Sequence, residues 1–244
     1  MFERKTILFL MNNTNGKFQI LYLTIMLLLA IAFWNTLLIY PIKLFVVMLH
    51  EMSHGLMAIV FGGNIIQIQI DPQIGGFCQY EMEPSFWGQF LTASAGYLGS
   101  LFWGSLILLS AVKSIKDKYI TLIIGLVLLG LSYFVLQSGE VFGTAITAGF
   151  GVFMLVAVKY FSPLFHDLWL KFIGITSCFY VIADIKDDLL TKTCIRTSDA
   201  DHIADLTGIP SMFIGLFWMF LALLTLFIVL RYIYKIQGVT YNYS

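Results

Sequence analysis

Long apolar runs broken by short polar segments make up most of the chain from Phe18 onward. A helix of about 20 apolar residues crosses the hydrocarbon core of a bilayer. Runs of roughly that size predict seven spanning helices: Phe18–Tyr40, 41–61, within Pro84–Val112, Tyr119–Gln137, Thr144–Phe161, Phe165–Leu190 and within Ile209–Ile236. One stretch has a different period. Ile66-Gln67-Ile68-Gln69-Ile70 alternates strictly, which is the signature of a strand. Asp71-Pro72 and Gly75-Gly76 are turn signals, and Phe77 to Glu81 reads as a return strand. A β-hairpin over about 64–83 therefore follows the second helix. Its edges cannot meet lipid unpaired, so it lies at the interface or within the protein. The predicted fold is all-α and polytopic: about seven transmembrane helices with a small membrane-associated β-hairpin after the second.

Composition supports this and removes other classes. The chain is 59% hydrophobic and 11% charged, whereas soluble domains carry about 25% charged residues. Mean hydropathy is +0.87. The protein is expected to be a multi-pass integral membrane protein in a lipid bilayer. A formal net charge of zero gives no basic surface for nucleic acid. Cys78, Cys178 and Cys194 are scattered and read as free thiols. Arg4 and Lys5 precede an apolar stretch too short for a signal-peptide core, so the first long run is expected to be retained. With no repeat or composition break, 1–244 reads as a single domain. It divides into a lead and first helix (1–40), a core (41–210) and a C-terminal helix (211–244).

Within the second helix lies His50-Glu51-Met52-Ser53-His54. Residues four apart share a helix face, so both imidazoles can point at one spot. Two imidazoles so placed suit Zn2+, and the Glu beside the first can act as a general base toward a water that the ion polarises. With four histidines in 244 residues, a chance match is expected roughly 0.001 times.

A catalytic zinc takes three protein ligands and keeps one position open. An ionisable side chain inside a span is costly and marks a functional site by default. Asp184, deep in the sixth helix, is the expected third ligand, with Asp188 one turn further on as the alternative. Helices two and six share parity and run the same way, so both sites can meet at one depth. Ordinary interfacial acids at a helix end are the competing explanation, and it suits Asp187 and Asp188 better than Asp184.

Two further stretches stand out. Small residues recur every four positions in the third helix, at Ala95/Gly99 and Gly96/Ser100/Gly104, a face that permits close helix approach. Either generic packing or packing against the metal helix accounts for it. Between helices six and seven, Ser198 can cap a short helix with Asp199 and Asp201 in its first turn, stopped by Gly208-Ile209-Pro210. Capping accounts for the acids. A second metal site or a lid involving Asp199, Asp201, His202 and Asp205 is the alternative.

These residues resemble the site-2 protease family of intramembrane zinc metallopeptidases. The resemblance runs through His50-Glu51-Met52-Ser53-His54-Gly55, Phe61-Gly62-Gly63-Asn64 before the hairpin, Ala95-Gly96-Tyr97-Leu98-Gly99, and a late-helix aspartate. The Gly-Tyr-Leu-Gly segment and Ser198-Asp199-Ala200 are similar to the smaller B-type branch. The family's usual Leu-Asp-Gly is replaced here by Ile182-Ala183-Asp184-Ile185, with no Asn or Pro before it in that helix. The resemblance implies metal ligands at His50 and His54, a general base at Glu51, and cleavage of peptide bonds in or beside transmembrane segments of membrane-protein substrates. It also implies that the hairpin edge, around Ile66, Ile68 and Ile70, receives an unwound substrate. Two other functions are a catalytically inactive chaperone or scaffold, which zinc content would separate from the enzyme, and a metal or solute transporter, which flux without peptide cleavage would reveal.

Overall fold

The computed structural model describes residues 16–114, 116–187 and 198–241, with side chains to 236. Among these the chain forms eight helices and one hairpin. They are α1 (Gly16–Ala32), α2 (Tyr40–Val60), β1 (Asn64–Asp71), β2 (Gly75–Glu81), α3 (Phe86–Lys113), α4 (Asp117–Leu136), α5 (Val141–Tyr160), α6 (Pro163–Lys186), α7 (Asp199–Thr207) and α8 (Ser211–Tyr241). Six of them, α2 to α6 and α8, are long and apolar enough to cross a membrane, and α1 is a shorter apolar helix. The chain is a multi-pass integral membrane protein with a predominantly helical fold.

The first helix is shorter than the apolar run that predicts it. It ends at Ala32, and turns occupy 33–39. The polar pair Asn35-Thr36 interrupts the run, and the Thr36 hydroxyl donates to the Phe33 carbonyl at 2.7 Å. Such side chains offer the backbone an alternative to the helical ladder. Trp34, set in this turn, packs edge-on against Phe179 at 5.1 Å and also meets Tyr180. The expected extension of the sixth helix to Leu190 falls outside the described residues, as does Asp188.

Burial separates an inner trio from an outer set. The spanning windows of α2, α3 and α6 are 67, 61 and 61% buried, against 28–33% for α4, α5 and α8. Apolar outer helices facing lipid need no polar covering, which is why large side chains such as Phe217, Phe220 and Phe227 stand exposed. Small residues let the trio pack closely. Gly99 of α3 faces Ser53 of α2, and Gly104 faces Ser177 and Cys178 of α6. A Cβ on Gly174 of α6 would clash with the Leu108 backbone, and since Gly104 meets Ser177 while Leu108 meets Gly174, α3 and α6 run antiparallel and close together. The alternating small positions of the third helix thus serve both neighbours.

The hairpin is antiparallel, with Ile68 opposite Cys78 and Asp71 opposite Gly75. A bulge between Ile65 and Gln67 shifts the register. Gly62, with φ of 78°, ends α2 in the left-handed conformation that turns the chain into β1. The hairpin tip is tied back to the start of α2, where the Tyr40 hydroxyl donates to the Pro72 carbonyl at 2.7 Å. Far from the hairpin, α4 and α6 bury a polar group of their own. Lys171 pairs with Asp167, and Thr121 Oγ1 lies 3.0 Å from Nδ1 of His166.

Close packing at Gly174 is expected to be sensitive to a single methyl. A Cβ there would lie 2.8 Å from the Leu108 backbone nitrogen, while at Gly130 it would meet nothing within 4 Å. Gly174→Ala should destabilise the protein by about 1–3 kcal/mol, and Gly130→Ala should be neutral or stabilising by up to about 1 kcal/mol. Thermal unfolding of the detergent-solubilised variants measures both, and equal melting temperatures for the two would contradict the packing.

Candidate metal centre

Pro41 sits in the first turn of α2, where its missing N–H costs nothing. The apolar run from Leu44 to Leu49 then carries the helix to His50 and His54, one turn apart. Their rings meet with centroids 4.8 Å apart. Both face Gly96 of α3, where any Cβ would collide with Nε2 of each ring. Nδ1 of His54 donates to the Thr92 carbonyl at 2.7 Å. That bond fixes the tautomer and leaves the Nε2 lone pair turned toward the site. One residue earlier, Ser53 returns its hydroxyl to the Leu49 carbonyl at 2.6 Å and accepts from Nε1 of Trp103 at 3.2 Å. Ser53 is thereby a packing residue between α2 and α3.

The carboxylate that joins the two imidazoles is Asp199. Its Oδ2 lies 3.0 Å from Nε2 of His50 and 3.2 Å from Nε2 of His54. The three candidate ligand atoms fall within 4.8 Å of one another. Asp184, the expected partner, lines the same cleft but is not in this group. Asp199 reaches the rings because α7 folds back over the bundle. Ser198 and Asp201 form a reciprocal capping box, and Gly208, with φ of 76°, closes the other end. Ala200 and Ile203 are buried beneath α7. Burial pushes the Asp199 carboxyl up, but the adjoining His54 and His50 rings outweigh it and hold the group well below the usual carboxylate range.

This donor set fits zinc. Ligand atoms about 2.0–2.1 Å from a tetrahedral ion stand about 3.3 Å from one another. The two Nε2 to Oδ2 separations, 3.0 and 3.2 Å, are close to that edge, and all three atoms lie within 4.8 Å of one another. Two nitrogens and one carboxylate oxygen leave a fourth position open, as in catalytic rather than structural sites.

Glu51 lines the same cleft as the histidines, on the side of α2 that faces β2. It is buried, and its carboxylate packs against Gly76 at the start of β2, where a Cβ would clash with Oε1. Beside it opens a cleft of about 900 Å³ walled by β2 from Gly75 to Tyr80, by Tyr180 and Asp184 of α6, and by Asp199 and His202 of α7. The hairpin strand along this cleft is thus β2. Ile68 and Ile70 of β1 are 0% and 1% exposed and belong to the apolar core, while Ile66 is exposed near the bulge. Alternation with glutamine puts Ile68 and Ile70 on one face of the sheet, the core side, while Ile66 beside the bulge is off it.

Sequence reasoning missed Asp199 as a partner of the histidines because a capped helix already accounts for acids in its first turn. One signal was available. Asp201 alone satisfies the box with Ser198, so Asp199 at the first helical position is not needed by the cap.

The chain belongs to the Peptidase M50B-like family, whose sequence model matches residues 22–229. This agrees with the resemblance to the B-type branch of the site-2 proteases. No curated protein and no solved structure matches the chain.

Cys78 faces this cleft and is not a ligand. Burial, with the Glu51 charge adding to it, pushes its thiol up to about 12. A thiol alkylates as the thiolate, so reactivity is absent below the raised value and appears as pH climbs through it. In a Cys178→Ser/Cys194→Ser background, the pH midpoint for alkylating Cys78 should lie above about 10, against about 8.5 for a free thiol. Adding Glu51→Gln should lower it only in part, because burial is the larger cause. Mass spectrometry of timed labelling reads this, and a midpoint at the ordinary value would contradict the placement.

Proposed function

We propose that this M50B-like chain is an intramembrane zinc metalloprotease that hydrolyses peptide bonds in or next to transmembrane segments of membrane proteins. The observation that carries the reading is the convergence, on one cleft inside a helical bundle, of His50, His54 and Asp199 with Glu51 on the same helix as the histidines. A protease needs that order of groups, whereas a solute path has no use for a carboxylate at Glu51's offset.

His50, His54 and Asp199 would hold the zinc. When bound, the ion supplies Lewis-acid polarisation of water and of the scissile carbonyl. The remaining steps belong to side chains of this chain. Glu51 accepts a proton from water as the water oxygen bonds to the carbonyl carbon. When the C–N bond breaks, Glu51 returns that proton to the leaving amine. Its burial against Gly76 keeps the carboxylate beside β2, so a segment lying along that strand has its backbone next to the base. A transmembrane helix has no free backbone groups, and cleavage requires local unwinding. The β2 stretch from Gly76 to Tyr80, rather than the isoleucines of β1, supplies the strand that can replace the lost hydrogen bonds.

Three substitutions test separate parts of this reading. Glu51→Gln should leave zinc content unchanged and lower cleavage of a membrane-protein substrate by about 10²–10⁴-fold. Full activity in that variant would remove Glu51 as the base. Asp199→Asn should lower zinc affinity by at least about tenfold, while Asp184→Asn retains it. Elemental analysis of purified protein and chelator competition measure this, and the opposite ranking would return the third ligand to Asp184.

A further inference from the structure

One support of the metal centre comes from outside the stretch that carries its motifs. Trp218 of α8 is 3% exposed, although its neighbours Phe217 and Phe220 are 58% and 59% exposed. The indole has turned inward on a helix that otherwise presents aromatics outward. It packs against Tyr97 of α3 with ring centroids 5.0 Å apart and planes at 44°. Tyr97 in turn meets the His50 ring at 5.0 Å and 89°, an edge-to-face contact. Among the described residues, the polar contact of His50 is at Nε2, toward Asp199. Its ring plane is therefore met by Tyr97 rather than set by a carbonyl, in contrast to His54 on Thr92. The indole also belongs to the apolar cluster that receives Ala200 and Ile203, the residues by which α7 is seated.

We propose that Trp218 is a positioning residue for the metal centre, acting on His50 through Tyr97 and on Asp199 through the seat of α7. The inference rests on the reading of His50, His54 and Asp199 as a zinc site. It makes the C-terminal helix part of that site, beyond the 41–210 core that the motifs delimit. Two of the three ligands share this support, and the third, His54, is held separately. Loss of the indole frees the His50 ring to turn and lets α7 shift, so the two donors no longer meet at one point. Outer partners of metal ligands commonly change affinity by about 10–100-fold when removed.

The test uses the full chain purified in detergent. Zinc affinity is measured by competition with a chromophoric chelator, and ligand geometry by the visible absorption of the cobalt-substituted protein. Trp218→Ala should weaken zinc by about 10–100-fold and lower the absorption per bound cobalt, while Trp218→Phe stays within about threefold of the parent. Ile203→Ala, which thins the seat from the α7 side, should weaken zinc in the same direction without touching the Tyr97 contact. Phe217→Ala, which removes an outward-facing ring from the same helix, should change neither quantity. A cobalt spectrum per bound ion identical to the parent in both Trp218→Ala and Ile203→Ala would overturn the proposal, as would equal losses in Phe217→Ala. If the parent chain holds zinc that His54→Ala loses, and Trp218→Ala binds it normally, only the role of Trp218 fails. If the parent binds no zinc, the site itself has been misread.

Discussion

The two imidazoles and the carboxylate meet here against neighbouring backbone that carries no side chain. That place is Gly96 of α3, against which both histidine rings lie. The rest of the inner trio follows from the same bare face. Gly99 admits Ser53 and so sets how closely α2 approaches, and Gly104 admits α6 from the other side. A stripe that reads in sequence as generic helix packing is therefore also the clearance in which the candidate ligand atoms meet. A larger residue at position 96 would damage the site before it damaged the fold, because its first contacts are ring nitrogens rather than core methyls.

Charge imposes the second constraint. A carboxylate within a spanning helix pays the full cost of desolvation, and this argument favours Asp184 as the third ligand. The structure instead brings Asp199 from α7, a short amphipathic helix that need not cross the bilayer at all. Its acid is buried only after α7 docks, and it is buried against two imidazoles that hold it ionised. The buried charge at the opposite end of the bundle follows the same rule by another route, since Asp167 has Lys171 one turn away on its own helix. In each case the partner accompanies the charge.

What could be read from the sequence divides along the line between local and tertiary information. His50, Glu51 and His54 are set by the period of one helix, and the hairpin by a change of period from 3.6 to 2. Both are properties of consecutive residues, and both appear where expected. The capped helix at Ser198 is equally local, and its capping box is present. Asp199 reads as part of that cap because nothing in nine residues of helix says which way the element folds back. Its direction is decided by Ala200 and Ile203 finding a seat on α3, α6 and α8. The same limit applies to the hairpin. Alternation shows that β1 has an apolar face, but whether that face meets substrate or core depends on helices elsewhere in the chain. Ile68 and Ile70 take the core, and the glycine-led β2, which has less to bury, is left along the cleft.

The shape of the cleft then constrains what can enter it. Glu51 is walled by β2, and the histidines by α3 and α7, so on the proposed reading a substrate chain approaching Glu51 runs beside a strand and close to a helix end. A helix with its side chains is about 10–12 Å across, and its amides and carbonyls are already paired with one another. Beside β2 such a segment would present only side chains, holding its carbonyl carbons away from Glu51 behind its own surface. An extended segment needs only the 4.7–4.9 Å spacing of neighbouring strands and offers its backbone groups directly. Beside Glu51 an unwound chain is thus favoured over a helix before any hydrogen bond is counted. On the proposed reading, selection for segments that unwind is built into the same close contact that positions the base.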